Sequence, residues 1–156
     1  MTNIHDICDY VILKATSDEI IPMNNLKLQK LLYYIQAWHI TFFDSPLFVG
    51  KFQAWVHGPV NREIYKRFRS SKYLYSNIGP LDINDKDCIL RIDPEKQNFI
   101  DNVLEVYLKY SGTQLEAITH NEDPWILARH GYSPFASCEE EIKEDVMKAF
   151  YSSKLK

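Results

Sequence analysis

The sequence predicts a mainly α fold of the α+β kind: a compact helical domain around one central buried helix, with a small two- or three-stranded antiparallel sheet. Three observations predict it. The run from Asn24 to Phe43 is long, helix-compatible and apolar around most of its circumference. A short stretch near Phe52 switches to period two. The remainder is divided by caps, prolines and glycines into further helical segments. At 156 residues, with 46% hydrophobic and 25% charged residues, the chain suits one domain spanning 1–156.

In chain order, Ile4, Ile7, Cys8, Val11, Ile12 and Ala15 recur at helical spacing, with Asp6, Asp9 and Leu13 away from them. This is an amphipathic first helix capped by Thr2 or Asn3. Ile20, Ile21 and Pro22 read as an extended connection, because the residue before a proline is pushed out of helical geometry. Asn24 or Asn25 then caps the central helix. Leu28, Leu31, Leu32, Ile35, Trp38, His39 and Phe42 form its main stripe, and Leu26, Tyr33, Ala37 and Ile40 a second, nearly opposite one. Only Lys27, Lys30, Tyr34 and Thr41 are left to face solvent.

Phe52, Ala54 and Val56 alternate with Gln53, Trp55 and His57, which reads as a strand ended by Gly58 and Pro59. Proline then opens a third helix with Val60, Ile64 and Phe68 inward. Its other side carries Arg62, Lys66 and Arg69, near Arg67 and Lys72. Residues 70–87 read as a surface loop, and Cys88 to Ile92 as a strand to pair with Phe52 to Val56. A long helix opens at Asp93 and Pro94, reaches Tyr110 and stops at Gly112. Short helices follow: a capping box at Thr113 and Glu116, a turn opened by Asp123 and Pro124 and closed by Gly131, and a last helix boxed by Ser137 and Glu140. That helix carries Glu139, Glu140, Glu141, Glu144 and Asp145 in its first half, where negative charge suits the helix dipole.

Charge and cysteine usage exclude several function classes. A formal charge of -3 gives no overall pull toward nucleic acid or anionic lipid, and the basic face of the third helix lacks a recognition-helix pattern. These features argue against nucleic acid as a partner. No apolar run is long enough to span a bilayer, and the first residues lack a signal-peptide pattern. Cys8, Cys88 and Cys138 are odd in number and widely spaced, which fits a reduced cytoplasm rather than a disulfide framework. Five glycines and no phosphate-cradling loop point away from a nucleotide cofactor, and no cofactor is expected. The loop of Asp82, Asp85 and Asp87 lacks the glycine and glutamate of a standard calcium loop.

Among the histidines, His120 with Glu122 and Asp123 places three possible ligands within four residues, and His57 or His130 would complete a set. This defines one hypothesis, a metal-assisted hydrolase using His57, His120 and nearby carboxylates. No ligand spacing matches a known motif, however, so no metal is expected. His57 and His120 are expected instead to meet each other or Glu122, tying the sheet end to the short helices. The 13% of aromatic residues leans toward a protein-binding surface.

Three segments occurring in order carry a family resemblance: Lys27 to Tyr34 (KLQKLLYY, running on to Trp38), Ala54 to Val60 (AWVHGPV) and Thr119 to Trp125 (THNEDPW). Together they resemble the Panacea domain of SocA-like, phage-associated bacterial proteins. The resemblance implies an antitoxin that neutralises a toxin encoded beside it by direct contact, without catalysis. It also admits an adaptor handing its partner to a protease or chaperone. The motif positions fall on Lys27, Leu28, Gln29, Lys30, Leu31, Tyr33, Tyr34, Trp55, His57, Gly58, Pro59, His120, Pro124 and Trp125. By spacing, Leu28 and Leu31 are core, and Gly58 and Pro59 a strand-to-helix turn. Lys27, Lys30 and Tyr34, on the solvent strip, and Trp55 and Trp125, at the sheet junction, are the expected partner contacts.

Overall fold

A computed structural model describes residues 1–17 and 22–155. It is mainly α-helical with one small antiparallel sheet. The helices are α1 (Ile4–Thr16), α2 (Asn25–Phe43), α3 (Arg62–Phe68), α4 (Pro94–Tyr107), α5 (Gly112–His120), α6 (Asp123–Ala128) and α7 (Glu144–Ser153), with strands β1 (Gln53–Trp55) and β2 (Gly58–Val60). Of the expected connection at Ile20, Ile21 and Pro22, the first two residues lie outside the described residues.

α2 is the axis of the fold. The Asn24 side chain accepts from the Lys27 N–H at 2.8 Å and starts it. Asp44 ends it in the left-handed region, at φ 55°, a conformation short polar side chains tolerate. Between these ends α2 packs on α1, α4, α5, α7 and β2. Leu28, Leu31, Leu32 and Ile35 have no exposed surface, and Tyr33 is buried with them. One position of the main stripe departs: Phe42 is 55% exposed, since the helix end runs past the core and its ring stacks on Trp38 at the surface.

The sheet is a tight hairpin, with Gln53 opposite Val60, Ala54 opposite Pro59 and Trp55 opposite Gly58. Proline is tolerated in β2 because the strand lies on an edge and needs no N–H from it. The other edge of β1 is held by the chain at Glu140 to Ile142, through Ala54 N–H to Glu140 O (2.9 Å) and Ile142 N–H to Phe52 O (2.8 Å).

Several boundaries differ from expectation, each because a competing partner takes the backbone. Cys88 to Ile92 is not a strand but lies within a 3-10 turn, Lys86–Arg91, with Ile92 as its cap. The buried Asp9 carboxylate accepts the N–H groups of Asn84 (3.0 Å) and Asp85 (3.1 Å), so this region is tied to α1 and not to the sheet. Gly58 and Pro59 do not form a strand-to-helix turn but lie in β2, paired with Trp55 and Ala54, and α3 begins only after Asn61, whose side chain caps Ile64 N–H at 3.1 Å. Gly112 does not stop α4 but opens α5, whose box is Ser111 with Gln114 in place of Thr113 with Glu116. α7 starts at Glu144, so Glu139, Glu140 and Glu141 precede the helix. Arg67, grouped by sequence with the basic face, is instead buried against Asp9.

Candidate functional site

The supposed solvent strip of α2 is buried. Lys27 and Lys30 are each 1% exposed and Tyr34 has no exposed surface. Each buries a long stem or ring and delivers its polar end to a fixed partner. Lys27 Nζ donates to the Leu108 carbonyl at 2.7 Å, at the C-terminal end of α4, where a cation suits the dipole. Lys30 Nζ donates to the Pro59 carbonyl at 3.1 Å. Burial pushes the Lys30 amine down to about 7, with Glu116 pulling weakly the other way. Tyr34 stacks on Tyr107 at 4.0 Å between centroids, and its hydroxyl donates to Glu122 Oε1 at 2.7 Å. The Tyr151 hydroxyl donates to the same oxygen at 2.9 Å. Burial raises the Glu122 carboxyl, and the two tyrosine hydroxyls partly offset this.

The three segments quoted above thus meet in one junction of α2, the hairpin, α5 and α6. Gln29 and Asn61 exchange two hydrogen bonds, Asn61 N–H to Gln29 Oε1 (2.8 Å) and Gln29 Nε2 to Asn61 O (3.1 Å), which fix β2 to α2. Gly58 has φ 104°, and a Cβ there would stand 2.4 Å from Lys30 Cε and 3.0 Å from Thr119 Oγ1. No side chain fits without displacing the lysine. Trp125 Nε1 donates to the Trp55 carbonyl at 2.9 Å, while Arg129 covers the Trp125 ring and donates to the Ala54 carbonyl at 2.7 Å. Pro124 is buried at the start of α6.

His57, but not His120, ties the hairpin to α5, through a different carboxylate from the one expected. His57 Nδ1 lies 3.1 Å from Glu116 Oε1, while Glu122 is engaged by Tyr34 and Tyr151. His120 stacks on Trp125 at 4.0 Å, with Nε2 buried and unpartnered; burial lowers its proton affinity. Among the described residues no group of three or more His, Cys, Asp or Glu is placed to hold a metal ion, so His57, His120 and Glu122 do not assemble the ligand set the hydrolase hypothesis requires. Asn61, Tyr107, Glu116, Arg129 and Tyr151 were not anticipated as members of this junction. Asn61 carried a legible signal, a capping residue ahead of a helical pattern; Arg129 carried none.

On one side the junction opens into a groove of about 610 Å³. α2 supplies Asn25, Leu26, Gln29 and Lys30 to it, and the hairpin supplies Trp55, Val56, His57 and Val60. Tyr65, Arg69 and Tyr73 line it from α3 and the chain after it, facing Phe135 and Cys138. The Trp55 ring is half-buried, edge-on to Tyr65 at 4.9 Å, with the Arg62 guanidinium over it. Tyr73 and Phe135 are 85% and 90% exposed at the rim. No described helix is long and apolar enough to cross a membrane.

The family described as antitoxin SocA-like, Panacea domain, matches residues 28–126. Antitoxin SocA of Caulobacter vibrioides (strain NA1000 / CB15N) is 32% identical over 117 residues, covering 71% of this chain. The match spans 62% of that relative's length. No solved structure matches. The chain belongs to the SocA-like antitoxin family, and its three family segments build the junction beneath the groove.

Proposed function

We propose that this protein neutralises a cognate toxin by binding it directly, without catalysis, and that the groove beside the hairpin is the contact surface. The observation that carries this reading is the aromatic lining of the groove. Trp55, Tyr65, Tyr73 and Phe135 present wide, amphipathic rings around one concavity, the composition that dominates binding energy at protein interfaces. The buried family residues beneath it hold its shape, so Lys27, Lys30 and Tyr34 act by positioning the elements that carry the surface. Trp125 acts in the same way, through the Trp55 backbone.

The test is coexpression with the toxin gene beside it, followed by copurification. The parent protein is expected to restore growth and form a stable complex. Tyr73→Ala and Phe135→Ala together are expected to weaken both at an unchanged melting temperature, because neither ring is buried. Full rescue by the folded double variant would remove the groove from the interface, and rescue without a complex would overturn direct binding.

A further inference from the structure

The small sheet has two outer edges, and only one of them is closed. On the β2 side the Pro59 carbonyl accepts Lys30 Nζ, and the following residue, Asn61, exchanges two hydrogen bonds with Gln29. On the other side the chain at Glu140 to Ile142 pairs with β1 through the Glu140 carbonyl and the Ile142 N–H. Main-chain groups of successive residues in an extended chain point to opposite sides, so the Glu141 N–H and C=O are directed away from the sheet. Neither has a backbone partner among the described residues, and Glu141 is exposed. This edge borders a cleft of about 210 Å³ walled by Pro124, Leu127 and Ala128 of α6 and Val146 of α7. Leu127 is 55% exposed beside it. The edge is also acidic: Glu139, Glu140, Glu141, Glu144 and Asp145 stand against Lys143. Arg62 pairs with Glu139, and Lys51 is shared between Glu141 (4.0 Å) and Glu144 (3.1 Å), which leaves a surplus of carboxylate among the described residues.

We propose that this edge receives an extended, lysine- or arginine-bearing segment of a protein partner as an added β-strand, with an apolar side chain in the cleft beside Leu127 and basic side chains toward the carboxylates. An outward N–H and C=O on one residue are matched together by a neighbouring strand, and alternation of its side chains supplies the specificity. A docked helix has no free main-chain groups to offer them. Charge settles what kind of strand fits: a second copy would set the same carboxylates against each other, and a nucleic acid or anionic lipid would be repelled. The edge is a different surface from the aromatic groove, so the proposal stands or falls apart from the groove reading.

The experiment measures, by fluorescence anisotropy on the full chain, nine-residue peptides that alternate Lys with Val or Phe. Glu-for-Lys versions and two versions N-methylated on alternate residues, one for each strand edge, are run beside them. The Lys peptides are expected to bind and the Glu versions not to. One of the two N-methylated versions should bind about tenfold more weakly or worse, and bound peptide should slow hydrogen exchange at the Glu141 amide. Glu141→Pro removes the outward N–H while keeping the Glu140 and Ile142 bonds, and Leu127→Asp spoils the cleft; each should weaken binding by a similar factor at an unchanged melting temperature. Should Glu141→Pro not fold, the N-methylated pair reads the same main-chain contact. No binding by any Lys peptide, equal binding by the Glu versions, indifference to both N-methylation patterns, or unchanged exchange at Glu141 would each overturn the proposal. A dimer of the parent that Glu141→Pro abolishes would assign the edge to a second copy and overturn it as well. The Tyr73→Ala and Phe135→Ala double variant should bind the peptides as the parent does; loss of binding there would place them in the groove instead and overturn the edge assignment.

Discussion

The Lys30 amine donates to the Pro59 carbonyl across 3.1 Å, so a buried lysine of the central helix is committed to the hairpin and not to solvent. Its surroundings push its pKa from 10.5 down to about 7. Between those values the unfolded chain holds a proton that the folded chain has released, so lowering the pH favours unfolding. The penalty is full below about pH 7 and fades as the pH rises toward 10.5. Cys8, raised from 9.0 to about 12, acts in the opposite sense above pH 9. Stability is therefore expected to rise from pH 7 to about 9, and Lys30→Met to remove most of that slope. Urea midpoints of parent and variant at several pH values check this. Parallel curves would mean that Lys30 titrates alike in both states.

Gly58 makes the same contact possible from the other side. Alanine there would adopt φ 104° with its methyl against Lys30 and Thr119. Strain and overpacking together are expected to cost about 2 to 4 kcal/mol, read as a lower denaturation midpoint. Gly58→Ala in a Lys30→Ala background should cost less, because the nearest obstacle is gone; equal costs would place the effect in the backbone alone.

Leu31→Ala tests α2 as the core. The side chain has no exposed surface, so truncation is expected to cost about 2 to 5 kcal/mol, measured by urea denaturation.

The central helix was legible because burial on two opposite stripes leaves a strong periodic signal, and Leu28, Leu31, Leu32 and Ile35 are core as their spacing implies. What periodicity could not reveal was that the remaining strip is also covered. Lys27, Lys30 and Tyr34 look solvent-facing by residue type, yet their acceptors at Leu108, Pro59 and Glu122 are 81, 29 and 88 residues away in sequence. Asp9 was misplaced for the same reason: a carboxylate reads as exposed until its distant guanidinium is known. The three segments met in the junction, but the groove beside it also draws on Tyr65, Tyr73 and Phe135, which follow no local pattern, and on Arg69, which the sequence placed only on a basic helix face. Charge reversal at Lys27 and Lys30 is accordingly expected to unfold the protein and not merely to weaken a complex.

Tyr34→Phe and Tyr151→Phe probe the buried carboxylate they share. Each removes one donor from Glu122 Oε1, at about 1 to 2 kcal/mol. The pair is expected to cost more than the sum, since Glu122 then loses both of these tyrosine donors. Glu122→Gln in the doubly substituted background should recover part of the loss by removing the charge. Simple additivity in thermal melts would show that the site admits water.

Asp9 and Arg67 hold residues 82–85 against α1 and α3. Arg67 Nη2 donates to Asp9 Oδ1 and to the Asp82 carbonyl at 3.0 Å, while the Asp9 carboxylate also takes the Asn84 and Asp85 N–H groups. Both side chains are almost wholly buried. Asp9→Asn keeps the shape but leaves the guanidinium without its counter-charge, at an expected cost of about 3 to 5 kcal/mol. Because Asp9 is the acceptor for two successive amides, hydrogen exchange at Asn84 and Asp85 should accelerate more than at Leu28 or Leu31. Replacing both partners, as Asp9→Leu with Arg67→Met, removes the unpaired charge and should recover most of the global stability. Exchange at Asn84 and Asp85 should stay fast in that variant, since no acceptor is restored. Slow exchange there would show that the segment is held by packing around Cys88 and Ile92 and not by the carboxylate.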